Sequence, residues 1–194
     1  MLPDDLFPGG GPTGLAEFFG DHMVVNGMIW PKEDVEPRNY RLHLLNGTDS
    51  RFMAIRFRVA ANSTSTDLTE AGTPLNFTVI GSDQGLASEA VTTDMLVFEP
   101  GSRYDVILDF KNVPFGSRVI MENIGGDEPF GGDIPGTFIF NETDRVMAFD
   151  VVLPLDEDVP DATPTGISFG PVVSDPTRLR KVALFEGKDE FGCL

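Results

Sequence analysis

Soft metal ligands are almost missing from this chain of 194 residues, which has two histidines and a single cysteine. That supply excludes a zinc-finger array, a haem-attachment motif and a multi-histidine copper cluster built from this chain alone. Cys193 has no partner for an internal disulfide. Being one residue from the C-terminal end, it also has little around it to make its thiol a nucleophile. Basic residues are scarce too: 14 Lys and Arg stand against 31 Asp and Glu, a formal net charge of −17. Phosphate recognition needs clustered Lys and Arg, so nucleic acid is an improbable partner, and an anionic membrane surface is disfavoured for the same reason. No uninterrupted apolar run approaches the roughly 18–20 residues of a membrane span. The acidic excess reads first as a solubility device and second as adaptation to high salt.

What is present is turn chemistry and apolar alternation. Hydrophobic residues make up 41% of the chain, enough for a core, while 21 glycines and 15 prolines argue against a helical bundle. Residues 1–19 read as a linker. Period-two runs follow at His22–Gly27, Tyr40–Asn46, Phe52–Val59, Leu75–Ile80, Val91–Phe98, Arg103–Phe110, Ser117–Ile124, Thr137–Asn141 and Arg145–Leu153. The clearest is Arg103–Phe110, which should turn Tyr104, Val106, Leu108 and Phe110 inward. With no convincing amphipathic helix, the pattern predicts an antiparallel all-β sandwich or barrel over residues 20–154. Residues 155–178, with Asp156, Glu157, Asp158, Asp161 and several prolines, read as an extended acidic linker. Leu179–Glu186 looks like the first strand of something that continues.

Few residues can carry chemistry. His22 and His43 lie on separate predicted strands, and polar-face roles suit them better than metal binding. No nucleophile-elbow pattern accompanies them. The pairs Asp4-Asp5, Asp156/Asp158 and Asp189-Glu190 sit in linker-like segments that lack the rigidity paired-acid catalysis needs. Gly125-Gly126 and Gly131-Gly132 open no helix, so they do not cradle phosphate and read as a mobile loop. Trp30 reads as a packing residue. Arg41, Arg56 and Arg58 project outward, where the many acids can pair with them.

Three stretches together resemble a known family: Gly20–Pro31 with Val24-Val25-Asn26-Gly27 and Trp30-Pro31, Val35–Asn46 with Glu36-Pro37-Arg38-Asn39-Tyr40, and Pro100–Phe110. Their order and spacing are similar to those of the middle cupredoxin-like domain of three-domain multicopper oxidases, in the bilirubin oxidase and spore-coat laccase branch. Ile80-Gly81-Ser82-Asp83 fits the same pattern, and Arg180–Leu184 with Asp189–Gly192 resembles the entry to the third domain. The resemblance implies a Greek-key cupredoxin-like fold for residues 20–154 and a truncated third domain over residues 179–194. It also implies first and third cupredoxin domains of the same parent as partners. The parent would use copper to couple one-electron oxidation of phenolic or tetrapyrrole-like donors to reduction of O₂ to water. The family's His-x-His and His-Cys-His ligand motifs do not occur here. The resemblance therefore transfers no catalytic, cofactor-binding or metal residue, and this segment alone is expected to be a copper-free, inactive spacer.

Four sequons, at Asn46, Asn62, Asn76 and Asn141, use four of the eight asparagines. They point to a glycosylated, exported parent, extracellular or periplasmic, whose signal would lie upstream, since Met1–Leu15 reads unlike a signal peptide. They equally suit an alternative, a stand-alone secreted β-sandwich interaction module. On the spacer reading, some of Trp30, Phe52, Phe115 and Phe130 should be exposed where neighbours dock. Leu179–Phe185 should be poorly ordered or lie on a sheet edge.

Overall fold

Apolar alternation becomes strands wherever it is strongest. The computed structural model describes residues 17–60, 62–161 and 177–183. Among them are eleven strands and no helix: β1 (Val24–Val25), β2 (Met28–Ile29), β3 (Lys32–Val35), β4 (Asn39–Leu45), β5 (Met53–Ala60), β6 (Phe77–Ser82), β7 (Gly85–Thr93), β8 (Leu96–Phe98), β9 (Arg103–Asp109), β10 (Arg118–Asn123) and β11 (Arg145–Val151). One sheet has the order β3-β11-β10-β5-β8 and a second the order β4-β9-β6-β7; β1 and β2 form a separate hairpin. All pairs are antiparallel except β3 with β11.

The two sheets close on one apolar core. Val106, Leu108 and Phe110 from the end of β9 are fully buried, and Tyr104 is half-buried, as the alternation predicts. They meet Ile55, Phe57, Val119, Met121, Phe149 and Val151 from the facing sheet. The rings interlock edge to face, with Phe57 on Phe77 at 5.2 Å and Tyr40 on Phe110 at 5.5 Å between centroids. Each buried Phe contributes about 2–3 kcal/mol by leaving water, before cavity effects.

Two buried asparagines stitch the loops to this core. Asn46 donates from its side-chain nitrogen to the carbonyls of Arg51 and Phe98. Asn123 accepts from the amides of Ala54 and Gly125 and donates to the Thr143 carbonyl. Glycine is required beside the second. A Cβ on Gly125 would lie 2.5 Å from the Phe52 oxygen, and one on Gly136 would lie 2.6 Å from Gly126. The two ends of the glycine-rich segment read as a mobile loop, at Gly125-Gly126 and Gly136, thus form a close backbone crossing, while Gly131 and Gly132 between them are exposed with open space around them. The crossing is closed by Gly136 N–H donating to the Ile124 carbonyl and Asp127 N–H to that of Thr137.

Several sequence expectations need correction. Val91–Phe98 is two strands in different sheets, because the Thr93 hydroxyl bonds to the main chain of Met95 and turns the chain between them. Thr137–Asn141 forms no strand. Two of its amides are taken by carboxylates instead of a neighbouring strand, Ile139 N–H by Asp127 and Asn141 N–H by Asp144. The polar β3 went unrecognised; it gains its place by parallel pairing with β11. His22–Gly27 yields only the short β1, paired with β2 across Asn26 and Gly27, both at positive φ as a tight turn needs. Asp156–Asp161 is docked rather than free. The expected strand from Leu179 does not appear within 177–183, where Leu179 and Val182 are exposed, and Leu184–Glu186 lie outside the described residues.

Candidate functional site

The two histidines come from different places and find different partners. His22 precedes β1, stacks on Trp30 at 4.8 Å between centroids, and has Nδ1 2.7 Å from Asp21 Oδ1. Its ring holds the Asp21 carboxyl below its ordinary pKa. His43 lies on the outer face of β4, with Nδ1 3.8 Å from Asp105 Oδ2. Among the described residues no three His, Cys, Asp or Glu side chains come together as a metal group. Cys193 lies outside those residues.

A groove of about 340 Å³ opens on the outer face of the four-stranded sheet, lined by Arg41, His43, Leu45, Leu86, Arg103 and Tyr104 among others. Its charges are matched. Arg41 clasps Asp105, and a 3.4 Å pair joins Arg103 to Asp83. Hydrogen bonding from Arg41 lowers the Asp105 pKa against the opposing effect of burial. Burial, with the charges of Glu99 and Asp83, raises that of the Tyr104 phenol. With His43 at 3.8 Å and Asp105 already bound by Arg41, the groove offers no relay of the kind nucleophilic catalysis needs.

The outer face of the five-stranded sheet carries a second set of arginines. Arg56 and Arg58 both reach Glu122, at 2.7 and 3.1 Å. Arg118 and Lys32 share Asp150, at 2.6 and 3.0 Å. Arg51 pairs with Asp127 at 2.7 Å, donates to the Gly20 carbonyl and lies over the Phe19 ring. These interactions tie the incoming chain to the glycine-rich crossing.

Apolar exposure is the feature left over. Of the four aromatics expected there, Phe115 and Phe130 are exposed, whereas Phe52 is half-buried, stacking on Phe130 at 4.4 Å, and Trp30 is half-buried. Sequence reasoning missed the most concentrated patch. Val24, Met28 and Ile29 of the β1–β2 hairpin are each more than half exposed. The signal was available: apolar residues flanking a two-residue Asn-Gly turn form a ribbon too narrow to cover its own faces. Of the sequons, Asn62, Asn76 and Asn141 are exposed. Asn46 is buried, with its amide nitrogen committed to two carbonyls.

No family model matches the chain. Its curated relatives are consistent among themselves. Bilirubin oxidase of Albifimbria verrucaria is 35% identical over 135 residues, 70% of this chain and 22% of that protein. Laccase of Bacillus subtilis is 30% identical over 184 residues, 93% of this chain and 31% of that protein. The chain is a cupredoxin-like segment of the multicopper oxidase family. Among solved structures, laccase from Pediococcus acidilactici superposes with a TM-score of 0.55 at 25% identity, covering 81% of this chain and 27% of that one. A McoA multicopper oxidase variant from Aquifex aeolicus gives a TM-score of 0.61 at 24% identity over 86% of this chain and 34% of that one, a likeness of fold. The chain thus spans less than a third of the length of these curated relatives.

Multicopper oxidases use copper, and the donors among the described residues do not fit it. Copper of this kind needs imidazole and thiolate groups converging on one point, whereas His22 and His43 each face a different carboxylate.

Proposed function

We propose that residues 20–154 form the bridging, copper-free domain of a longer multicopper oxidase, with residues 155–178 as the connection and residues 179–194 as the start of a third domain. The parent couples oxidation of phenolic or tetrapyrrole-like donors to reduction of O₂ to water, and this segment by itself is inactive. First and third cupredoxin domains would dock on it, with the Val24, Met28 and Ile29 hairpin among the surfaces they cover. The observation that carries this reading is the match over 93% of this chain but only 31% of a laccase, in a segment whose two histidines each face a different carboxylate.

Titration of the purified chain with Cu(II) tests it. The expected result is no blue thiolate absorption band and no oxidation of a laccase dye; either signal overturns the inactive-spacer reading. A second reading, a stand-alone secreted interaction module, draws on the exposed sequons Asn62, Asn76 and Asn141. Export and glycosylation belong to both readings. Flanking coding sequence with His-x-His and His-Cys-His motifs supports the first, and a secretion signal with start and stop codons framing this segment supports the second.

A further inference from the structure

The acidic segment after β11 leaves the sandwich along a site built to hold it. Arg38, only 7% exposed, sits just before β4 at the foot of the sandwich. Its Nη2 donates to the main-chain carbonyl of Asp156 and, at 3.3 Å, to that of Val159. Its Nε lies 3.1 Å from Glu36 Oε2, an ion pair that presets the guanidinium. The same Glu36 oxygen accepts the Asp156 amide at 2.8 Å. Asp161 closes the arrangement: its carboxylate accepts the Asn39 amide at 3.1 Å and pairs with Lys111 Nζ at 3.1 Å. Burial works to raise the Asp161 pKa, and the bonds from Lys111 and Asn39 outweigh it, leaving the carboxylate stabilised in its charged form.

Two features separate this from the surface pairing expected of an acidic linker. The central cation is buried, and it spends its donors on backbone carbonyls, so its part of the grip does not depend on which side chains Asp156 and Val159 carry. The segment is also held from both ends, at Asp156 by residues just before β4 and at Asp161 by the first residue of β4 and by Lys111 after β9.

We infer that Glu36, Arg38, Asn39 and Lys111 form an anchoring site for the chain's own residues 156–161, fixing the point and direction from which the following chain departs. The docked segment removes about six residues from the span that would otherwise be free to wander. Arg38 is the principal positioning residue, and Lys111 supplies a weaker, salt-sensitive contribution. The consequence for a longer oxidase, that the next domain starts from a set position, rests on the bridging reading. The anchoring itself does not.

Digestion of the full chain with a glutamate-specific protease, following scission after Glu157 by mass, tests the site, with amide exchange at Asp156 and Asn39 as a second readout. Anchoring predicts slow scission and protected amides in the wild type. Arg38→Ala should raise the scission rate about tenfold or more and Glu36→Ala several-fold, because cleavage follows the population of the released segment. Lys111→Ala should matter only at low salt. Arg41→Ala, whose partner Asp105 is outside this site, should leave the rate unchanged. If Arg38→Ala melts below the assay temperature, the Glu36→Ala result decides. Wild-type scission as fast as that of a free peptide covering residues 150–165 overturns the inference, as does an unchanged rate in a folded Arg38 or Glu36 variant. Failure here would leave the copper titration unaffected, and a copper signal there would leave the anchoring intact.

Discussion

The two outer faces of the sandwich carry the same kind of residue in different solvent. On the five-stranded sheet, the acids that meet arginines are almost sealed: the side chains of Glu122, Asp150 and Asp144 are 7%, 3% and 4% exposed. On the four-stranded sheet, the Arg41 side chain is 51% exposed, and the pair of Arg103 and Asp83 is 59% and 42% exposed. In sequence the two sets look alike, each an arginine on the polar phase of an alternating strand. What separates them is what lies above. Loop residues Thr66, Ala71 and Gly72 close over the first face, and their carbonyls take hydrogen bonds from Arg145 and Arg58. The four-stranded face stays open as a groove. A buried ion pair is costly to break because the survivor is left uncompensated, whereas an exposed one is replaced by water.

The largest expected effect follows from Glu122. Its carboxylate serves both Arg56 and Arg58, one oxygen to each, so Glu122→Ala removes the carboxylate partner of Arg56 and leaves Arg58, still bonded to the Ala71 and Gly72 carbonyls, without a counter-charge. We expect a loss of about 3 kcal/mol, seen as a fall in Tm of roughly 6–12 °C. Thermal melts of a folded variant unchanged within error would show that this face is solvated after all and would erase the contrast.

This contrast marks how far the sequence could be read. Strands β4, β5 and β9 were legible because one face enters a core and the other does not, which imposes period two on the side chains. Strand β3 was not, since Lys32, Glu33 and Asp34 carry no apolar phase and their pairing with β11 is a tertiary fact. Phe138 and Phe140 alternate as a strand would, yet the Asp127 and Asp144 carboxylates capture the backbone amides between and after them. The shortage of copper ligands could be counted directly. The docking of Asp156–Asp161 could not, because its key partners, Arg38 and Lys111, lie far away in the chain. Asn46 shows the same limit in reverse: its sequon is plain in the sequence, and its burial is not.

A smaller, pH-dependent effect is expected from Asp150. Burial pushes this carboxyl upward, and hydrogen bonds and charge from Arg118 and Lys32 more than reverse the push, so its folded pKa lies below the ordinary value. A group with a depressed folded pKa stabilises fully above its unfolded value, near 3.9, and loses that contribution as the pH falls through the folded one. Asp150→Asn should therefore cost about 2 kcal/mol at neutral pH. The stability gap between wild type and variant should narrow only below about pH 4. Urea titrations at a series of pH values measure it. A gap that stays constant into strong acid would mean that the charge on Asp150 contributes nothing.

The smallest effect should come from the open face, and it is the more discriminating for being small. Arg41 clasps Asp105 with hydrogen bonds from both Nε and Nη2, a bidentate geometry that on paper rivals any pair on the covered sheet. Solvent reaches the guanidinium, however, so truncation leaves Asp105 free to rehydrate at the groove. Arg41→Ala should shift Tm by no more than about 1–2 °C, and what shift there is should shrink in 1 M salt, where screening acts over about 3 Å. The Glu122→Ala deficit should persist more fully in the same buffer, because the Glu122 carboxylate is nearly sealed and a largely buried pair is screened less. If Arg41→Ala instead proved as damaging as Glu122→Ala and as indifferent to salt, geometry rather than cover would govern the worth of these pairs. The distinction between the two faces would then have to be redrawn around bidentate contact.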